Sequence, residues 1–204
     1  MKDKKSIAEE KALAYFKKAG GVIRTSQAMQ QGIRPEILYK LRDKGILETM
    51  GRGVYKLSDK TPGVDPQIIR LGLKHKNAVL CLISALFIHK LTTQIPRRIY
   101  VALPKGSHPP EKVKNKVEFF TISPEQYELG IEQHEIDGWK FKVYDPEKTI
   151  VDCFKFRNKM GIDLAIESLK EWKKKRPKNL KKLLAYAKAC RMEKVMAPYL
   201  EAIA

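Results

Sequence analysis

The stretch "GIRPEILYKLRDKGIL", Gly32 to Leu47, carries Arg34, Tyr39, Lys40 and Arg42 at spacings that bring them on or near the solvent side of one short helix. Directly after it, "ETMGRGVYKL" sets Arg52 between two glycines, with Lys56 four residues on. An arginine fork pairs with guanine O6 and N7 in a major groove, whereas lysine and arginine together neutralise phosphates. Flanking glycines let the backbone approach a phosphate closely and leave Arg52 free to enter a narrow minor groove. In the competing reading the glycines only supply positive φ to a turn, and all these cations are solvating charge. Glu36 and Asp43 share the helix and weigh against an anionic ligand, although an acid can accept from cytosine N4.

A second basic run, "LKEWKKKRPKNLKK" from Leu169 to Lys182, concentrates Lys170, Lys173, Lys174, Lys175, Arg176, Lys178, Lys181 and Lys182 around a helix-loop-helix corner. Such density repels itself unless it is solvated or matched by phosphates. Lys173, Lys174, Lys175, Arg176 and Lys178 are therefore candidates for a secondary DNA contact, with a solvated face as the alternative.

Catalytic and metal patterns are missing from the sequence. His75, His89, His108 and His134 have no metal-ligand spacing, and Cys81, Cys153 and Cys190 lack a CxxC partner. "KGSHPP" around Gly106 and Ser107 hints at a phosphate-holding turn of nucleotidyltransferase type, but no Asp-x-Asp or Asp-x-Glu pair follows it. No serine elbow, P-loop or dinucleotide fingerprint occurs. The expectation is a protein that is not an enzyme and uses no metal and no cofactor.

The elements that must position the cations follow from the pattern. Ser6 with Glu9 three residues later reads as a capping box opening a helix to about Lys18, stopped by Gly20-Gly21. "VIRT" is β-like, and Thr25 or Ser26 caps a second helix ending near Gly32; both hydroxyls join the candidate DNA-binding set. Pro35 suits the first position of a third helix and Gly45 the residue beyond its end. A hairpin follows at once, so three helices and a β-hairpin give the order of a winged helix-turn-helix over residues 1–58. "SDKTPGVDP" gathers turn formers, and residues 59–66 read as a linker to a second domain over 67–204.

In that second domain Asp65-Pro66 opens a helix to about His75, and Asn77 to Lys90 reads as a buried helix. Its apolar part, "AVLCLISALFI", has about half the length of a membrane span. "RRIYVAL" and "KVEFFTI" read as strands, and Asp137-Gly138 marks a hairpin between "IEQHEI" and "WKFKVY". Asp145 caps, and Pro146 opens, a final helical block with Ile150, Val151, Phe154 and Met160 inward; further helices are expected near 163–175, 179–190 and 192–203. The expected class is α+β, a winged helix-turn-helix followed by a mixed α/β domain ending in a helical block.

Over 204 residues, 41 Lys and Arg stand against 23 Asp and Glu, a net charge of +18 shared by both parts of the chain. That excess points to an anionic polymer, nucleic acid before a membrane surface. The charged opening "MKDKKSIAEEKALAYF" has no apolar signal region, and the isolated cysteines suit a reducing compartment, so the expected location is the cytoplasm.

In this order the motifs resemble the AbiEi antitoxins of abortive-infection, type IV toxin-antitoxin systems. The likeness rests on "GGVIRTSQAMQQGI", "LYKLRDKGILETMGRGVYKL", "SALFIHKLT", "YVALPKG" and "VYDPEKTIVDCFKFRNKMGIDLAIESL". It implies a winged helix that binds inverted repeats in its own promoter and represses it, with the recognition helix at Arg34 to Lys44 and the wing tip at Arg52. It also implies a second domain that counters a nucleotidyltransferase-type toxin without a stable complex. Lys90 departs from the family, which has glycine between the histidine and the leucine. Two other readings stay open: a module that neutralises a toxin by direct complex formation, and a degenerate nucleotidyltransferase.

Overall fold

A computed structural model describes residues 4–58, 75, 77–109, 116–136, 139–175 and 179–203. The expected linker over 59–66, the helix opening at Asp65-Pro66, the Asp137-Gly138 turn, and Arg176 and Lys178 lie outside the described residues. The chain divides into two compact units, Met1–Lys74 with Glu135–Lys140 and His75–His134 with Phe141–Ala204.

The first unit runs α1 (Lys4–Lys18), β1 (Val22–Arg24), α2 (Thr25–Gln30), α3 (Pro35–Asp43), β2 (Leu47–Gly51) and β3 (Val54–Leu57). Its sheet has the order β1-β3-β2, antiparallel throughout, and this is a winged helix. Ala12, Phe16, Ile23, Ala28, Leu38, Leu41, Leu47, Tyr55 and Leu57 form one core, so each helix contributes one apolar face. Gly20, Gly21, Gly32 and Gly45 all adopt positive φ where the helices and turns need it.

Local details differ from the expectation. Helix α1 begins at Lys4, so Ser6 lies inside it and is not its cap. Arg24, not Thr25 or Ser26, is the N-cap of α2, and its amide donates to Gln27 Oε1 at 2.8 Å. Thr25 instead joins α2 to the wing: its amide and hydroxyl both donate to the Gly53 carbonyl, at 2.8 and 3.2 Å. In the wing turn only Gly53 has positive φ, +68°; Gly51 ends β2 beside a bulge that shifts the register after Thr49.

A second, five-stranded mixed sheet has the order β6-β5-β4-β8-β7, and all of it except the end of β7 and the start of β8 belongs to the second unit. The strands are β4 (Val79–Leu80), β5 (Ile99–Pro104), β6 (Val117–Ile122), β7 (Ile131–Ile136) and β8 (Trp139–Tyr144). Strand β4 pairs antiparallel with β5 and parallel with β8, and β5 is parallel to β6. The helices are α4 (Leu82–Ile88), α5 (Pro124–Tyr127), α6 (Pro146–Lys155), α7 (Arg157–Met160), α8 (Ile162–Lys174), α9 (Leu180–Ala189) and α10 (Glu193–Ile203). The expected buried helix from Asn77 is thus half right, because Val79 and Leu80 form the central strand before the helix starts. A short apolar run fills a buried strand as well as a buried helix, and periodicity cannot separate the two.

Helix α6 carries the centre of this unit. Asp145 caps it, accepting from the Lys148 amide at 2.7 Å, and Ile150, Val151 and Phe154 are fully buried beneath it. Lys148 is buried too: its Nζ bonds both carboxylate oxygens of Asp152 at 2.6 Å and sits 4.2 Å from the centre of the Tyr144 ring. Burial raises the Asp152 carboxyl above its usual range, and the ammonium beside it pulls the other way. Gly130 makes room for this helix start, since a Cβ there would lie 2.7 Å from Asp145 Oδ2 and 2.7 Å from Lys148 Cβ. No helix among the described residues is long and apolar enough to cross a membrane.

Candidate nucleic-acid interface

Helix α3 is held by Leu38 and Leu41, both fully buried, with Arg34 as its N-cap and Pro35 at the first position. Pro35 lacks the amide that would be orphaned there, which fixes the helix start. The remaining surface of α3 has two differently built edges and an acidic residue, Glu36, exposed between them.

On one edge Lys40 and Lys44, one turn apart, both reach Glu9 of α1, at 2.7 and 2.6 Å. Their hydrogen bonds hold the Glu9 carboxyl below the usual carboxylate range. Both ammoniums are therefore already matched by one carboxylate.

On the other edge Tyr39, 45% exposed, sets its ring 6.5 Å from that of Tyr55 on β3. The Arg42 guanidinium lies 5.5 Å from the centre of the Tyr39 ring. Asp43 Oδ1 accepts from both Arg42 Nε, at 2.9 Å, and Nη2, at 2.7 Å. Hydrogen bonding to Asp43 raises the Arg42 pKa further, and the group is cationic at any working pH.

Arg34 and Arg52 differ from both edges. Each is exposed, and neither side chain makes a hydrogen bond or ion pair with any described residue. Arg52 stands at the wing turn, whose Gly53 is itself tied to α2 through Thr25. Lys56 is not free in this way, because it pairs across the strands with Glu48 at 2.9 Å. Ser26 is exposed, whereas the Thr25 hydroxyl is engaged with the wing.

The candidate set read from the sequence thus falls into three groups. Arg34, Arg52 and Ser26 are open; Arg42 is open but buttressed by Asp43 beside Tyr39; Lys40, Lys56 and Thr25 are engaged by Glu9, Glu48 and the Gly53 carbonyl. The acidic partners were the residues sequence reasoning missed. In the sequence Glu9 reads as a capping-box residue, and only helix packing puts it beside α3.

The described residues of the second basic run are also largely matched within the protein. Lys174 pairs with Glu171 at 2.6 Å, Lys175 donates to the His89 carbonyl, and Lys182 lies 2.9 Å from Asp145 Oδ2. Lys173 has an interaction partner as well. Lys170 and Lys181 are exposed and have no described partner. Among the described residues no three His, Cys, Asp or Glu are grouped so as to hold a metal ion, and the three cysteines are free and buried.

Residues 10–57 match the family described as "Transcriptional regulator, AbiEi antitoxin". That span covers α1 from Glu10 through the wing. Over 89% of this chain and 71% of that one the fold is similar to the crystal structure of the RV2827C protein from Mycobacterium tuberculosis, with a TM-score of 0.58 and 13% identity. No curated protein matches the sequence.

Proposed function

We propose, from the premise that residues 10–57 are an AbiEi-type regulator domain, that the chain is a DNA-binding autorepressor and antitoxin. The observation that carries this reading is a pair of exposed guanidiniums with no partner among the described residues, Arg34 at the start of α3 and Arg52 at the wing turn. An arginine left without an internal acceptor in a domain of this shape is available to phosphates and base edges. In this reading α3 enters a major groove of duplex DNA, and the wing reaches backbone or the minor groove.

The DNA is the chain's own promoter, read at inverted repeats, and binding represses the operon. The second unit counters a nucleotidyltransferase-type toxin without forming a stable complex, and the protein acts in the cytoplasm as a defence regulator with no catalysis of its own. The net charge of +18 supplies long-range steering to DNA. Among the described residues of the C-terminal run, Lys170 and Lys181 are open to a second contact.

The test is a mobility-shift titration of the full chain with its upstream region against random duplex at physiological salt. Preference for the upstream DNA, weakened by Arg52→Ala without a change in thermal stability, supports the reading. Equal binding to both duplexes removes the repressor function. A stable co-eluting complex with the product of the adjacent gene would instead favour toxin neutralisation by direct binding.

A further inference from the structure

Three arginines face outward from α3 and the wing, but only one of them has described side-chain partners. Arg34 and Arg52 are held by no described side chain, so each must lose its rotamer freedom on binding any ligand. Arg42 is oriented by its neighbours before any ligand arrives. Asp43 Oδ1 accepts from Nε and Nη2, and the guanidinium lies against the Tyr39 ring, which is itself backed by Tyr55 on the wing.

The donor count of that guanidinium decides what it can read. Arginine has five N–H groups in one plane. Asp43 takes the Nε–H and one Nη2–H, along the side of the fork. The two Nη1–H groups and the second Nη2–H remain, and the tip of the fork, one donor from each Nη, is unused. Two parallel donors in a rigid plane match the O6 and N7 acceptors of guanine, which is the one base presenting two acceptors side by side in the major groove. A phosphate needs no such rigidity, because it accepts from many directions.

We propose that Arg42 is the specificity-determining residue of this interface, a guanine reader oriented by Asp43 and Tyr39. The inference rests on the DNA-binding reading above and adds which base is selected and by which side chain. It also reverses the sense of Asp43, which as an isolated acid argues against DNA but as a buttress sharpens an arginine.

The experiment uses the full chain and a duplex pool randomised over about 20 base pairs, with the bound fraction sequenced for wild type, Arg42→Lys, Arg42→Ala and Asp43→Ala. Arg42 and Asp43 are exposed, and thermal unfolding confirms that each variant folds. The expected wild-type motif contains a guanine whose preference falls roughly tenfold or more in Arg42→Lys and Arg42→Ala, while other positions persist. Asp43→Ala should bind random duplex more tightly, having lost a negative charge, yet discriminate less at that guanine. A merely electrostatic or structural role would not produce these opposite changes. If all variants retain the wild-type motif, Arg42 is not the reader, although DNA binding stands. If wild type binds the pool without selecting any motif, or does not bind, the inference falls together with the repressor reading.

Discussion

Lys182 Nζ lies 2.9 Å from Asp145 Oδ2, so a lysine from the densest basic run of the chain is tied to the buried N-cap of α6. Tyr186 adds a third donor to the same carboxylate at 3.1 Å. Basic residues adjacent in sequence therefore have different surroundings in space. In space they divide into those that satisfy carboxylates and carbonyls and those that face solvent.

Removing Lys182 should accordingly act on folding. Lys182→Ala leaves a buried carboxylate short of one charged donor, which costs about 1–3 kcal/mol, whereas Lys181→Ala stays within about 0.5 kcal/mol. Urea unfolding of the two variants measures the difference. Equal stabilities would show that the Asp145 pair contributes nothing.

Glu9 bears on the other lysine pair. If α3 approaches phosphates, Glu9→Gln frees Lys40 and Lys44, and binding to duplex DNA becomes tighter and more salt-dependent. Two extra phosphate contacts would steepen the plot of log K against log salt by about 1.8. Glu36→Gln removes the same charge from α3 without releasing a described lysine and serves as the control. A slope identical in the two variants would exclude Lys40 and Lys44 from the interface.

Lys90 ends the turn after α4 with φ +55°, in the region that favours glycine. Its amide donates to the Phe87 carbonyl at 3.1 Å, a bond that glycine keeps. Lys90→Gly relieves the left-handed strain of a residue with a Cβ but increases the entropy of the unfolded chain, leaving a net gain of about 0.5–1 kcal/mol. A lower unfolding midpoint in the variant would contradict this.

His89 gives the fold a pH dependence. Its Nε2 donates to the Tyr144 carbonyl at 2.7 Å, and burial lowers its pKa below the ordinary 6.5. The His134 ring, edge-on at 5.6 Å, lowers it further, while the Tyr144 carbonyl, Glu132 and Asp145 oppose the shift. Because the folded pKa is depressed, the stabilisation is complete above about pH 6.5 and is lost as pH falls through and below that value. Stability measured from pH 7.5 to 5 should decline in wild type and decline less in His89→Gln. Parallel curves would remove His89 as the cause.

Much of the fold was legible in the sequence because it depends on local chemistry. Pro35, Gly45, Asp145 and Pro146 fix helix ends through backbone constraints that any reader of the chain can apply. The β-rich "KVEFFTI" and the Asp137-Gly138 signal before "WKFKVY" likewise mark strands. The cap at Ser6 and the helix at Asn77 failed for a related reason. A Ser-x-x-Glu pattern also occurs inside helices, and "AVLCL" is apolar enough for either a central strand or a helix.

The chain alone also determined that the protein is strongly basic and which arginines and lysines surround α3 and the wing. It could not determine which of them remain available, because that depends on acids distant in sequence. Glu9 meets Lys40 and Lys44 only when α1 packs on α3, and Glu48 meets Lys56 only through strand register. Lys175 and Lys182 likewise find His89 and Asp145 only after the second core has formed. Charge is a property of composition, but its neutralisation is a matter of distances of about 3 Å, and those exist only in the folded chain.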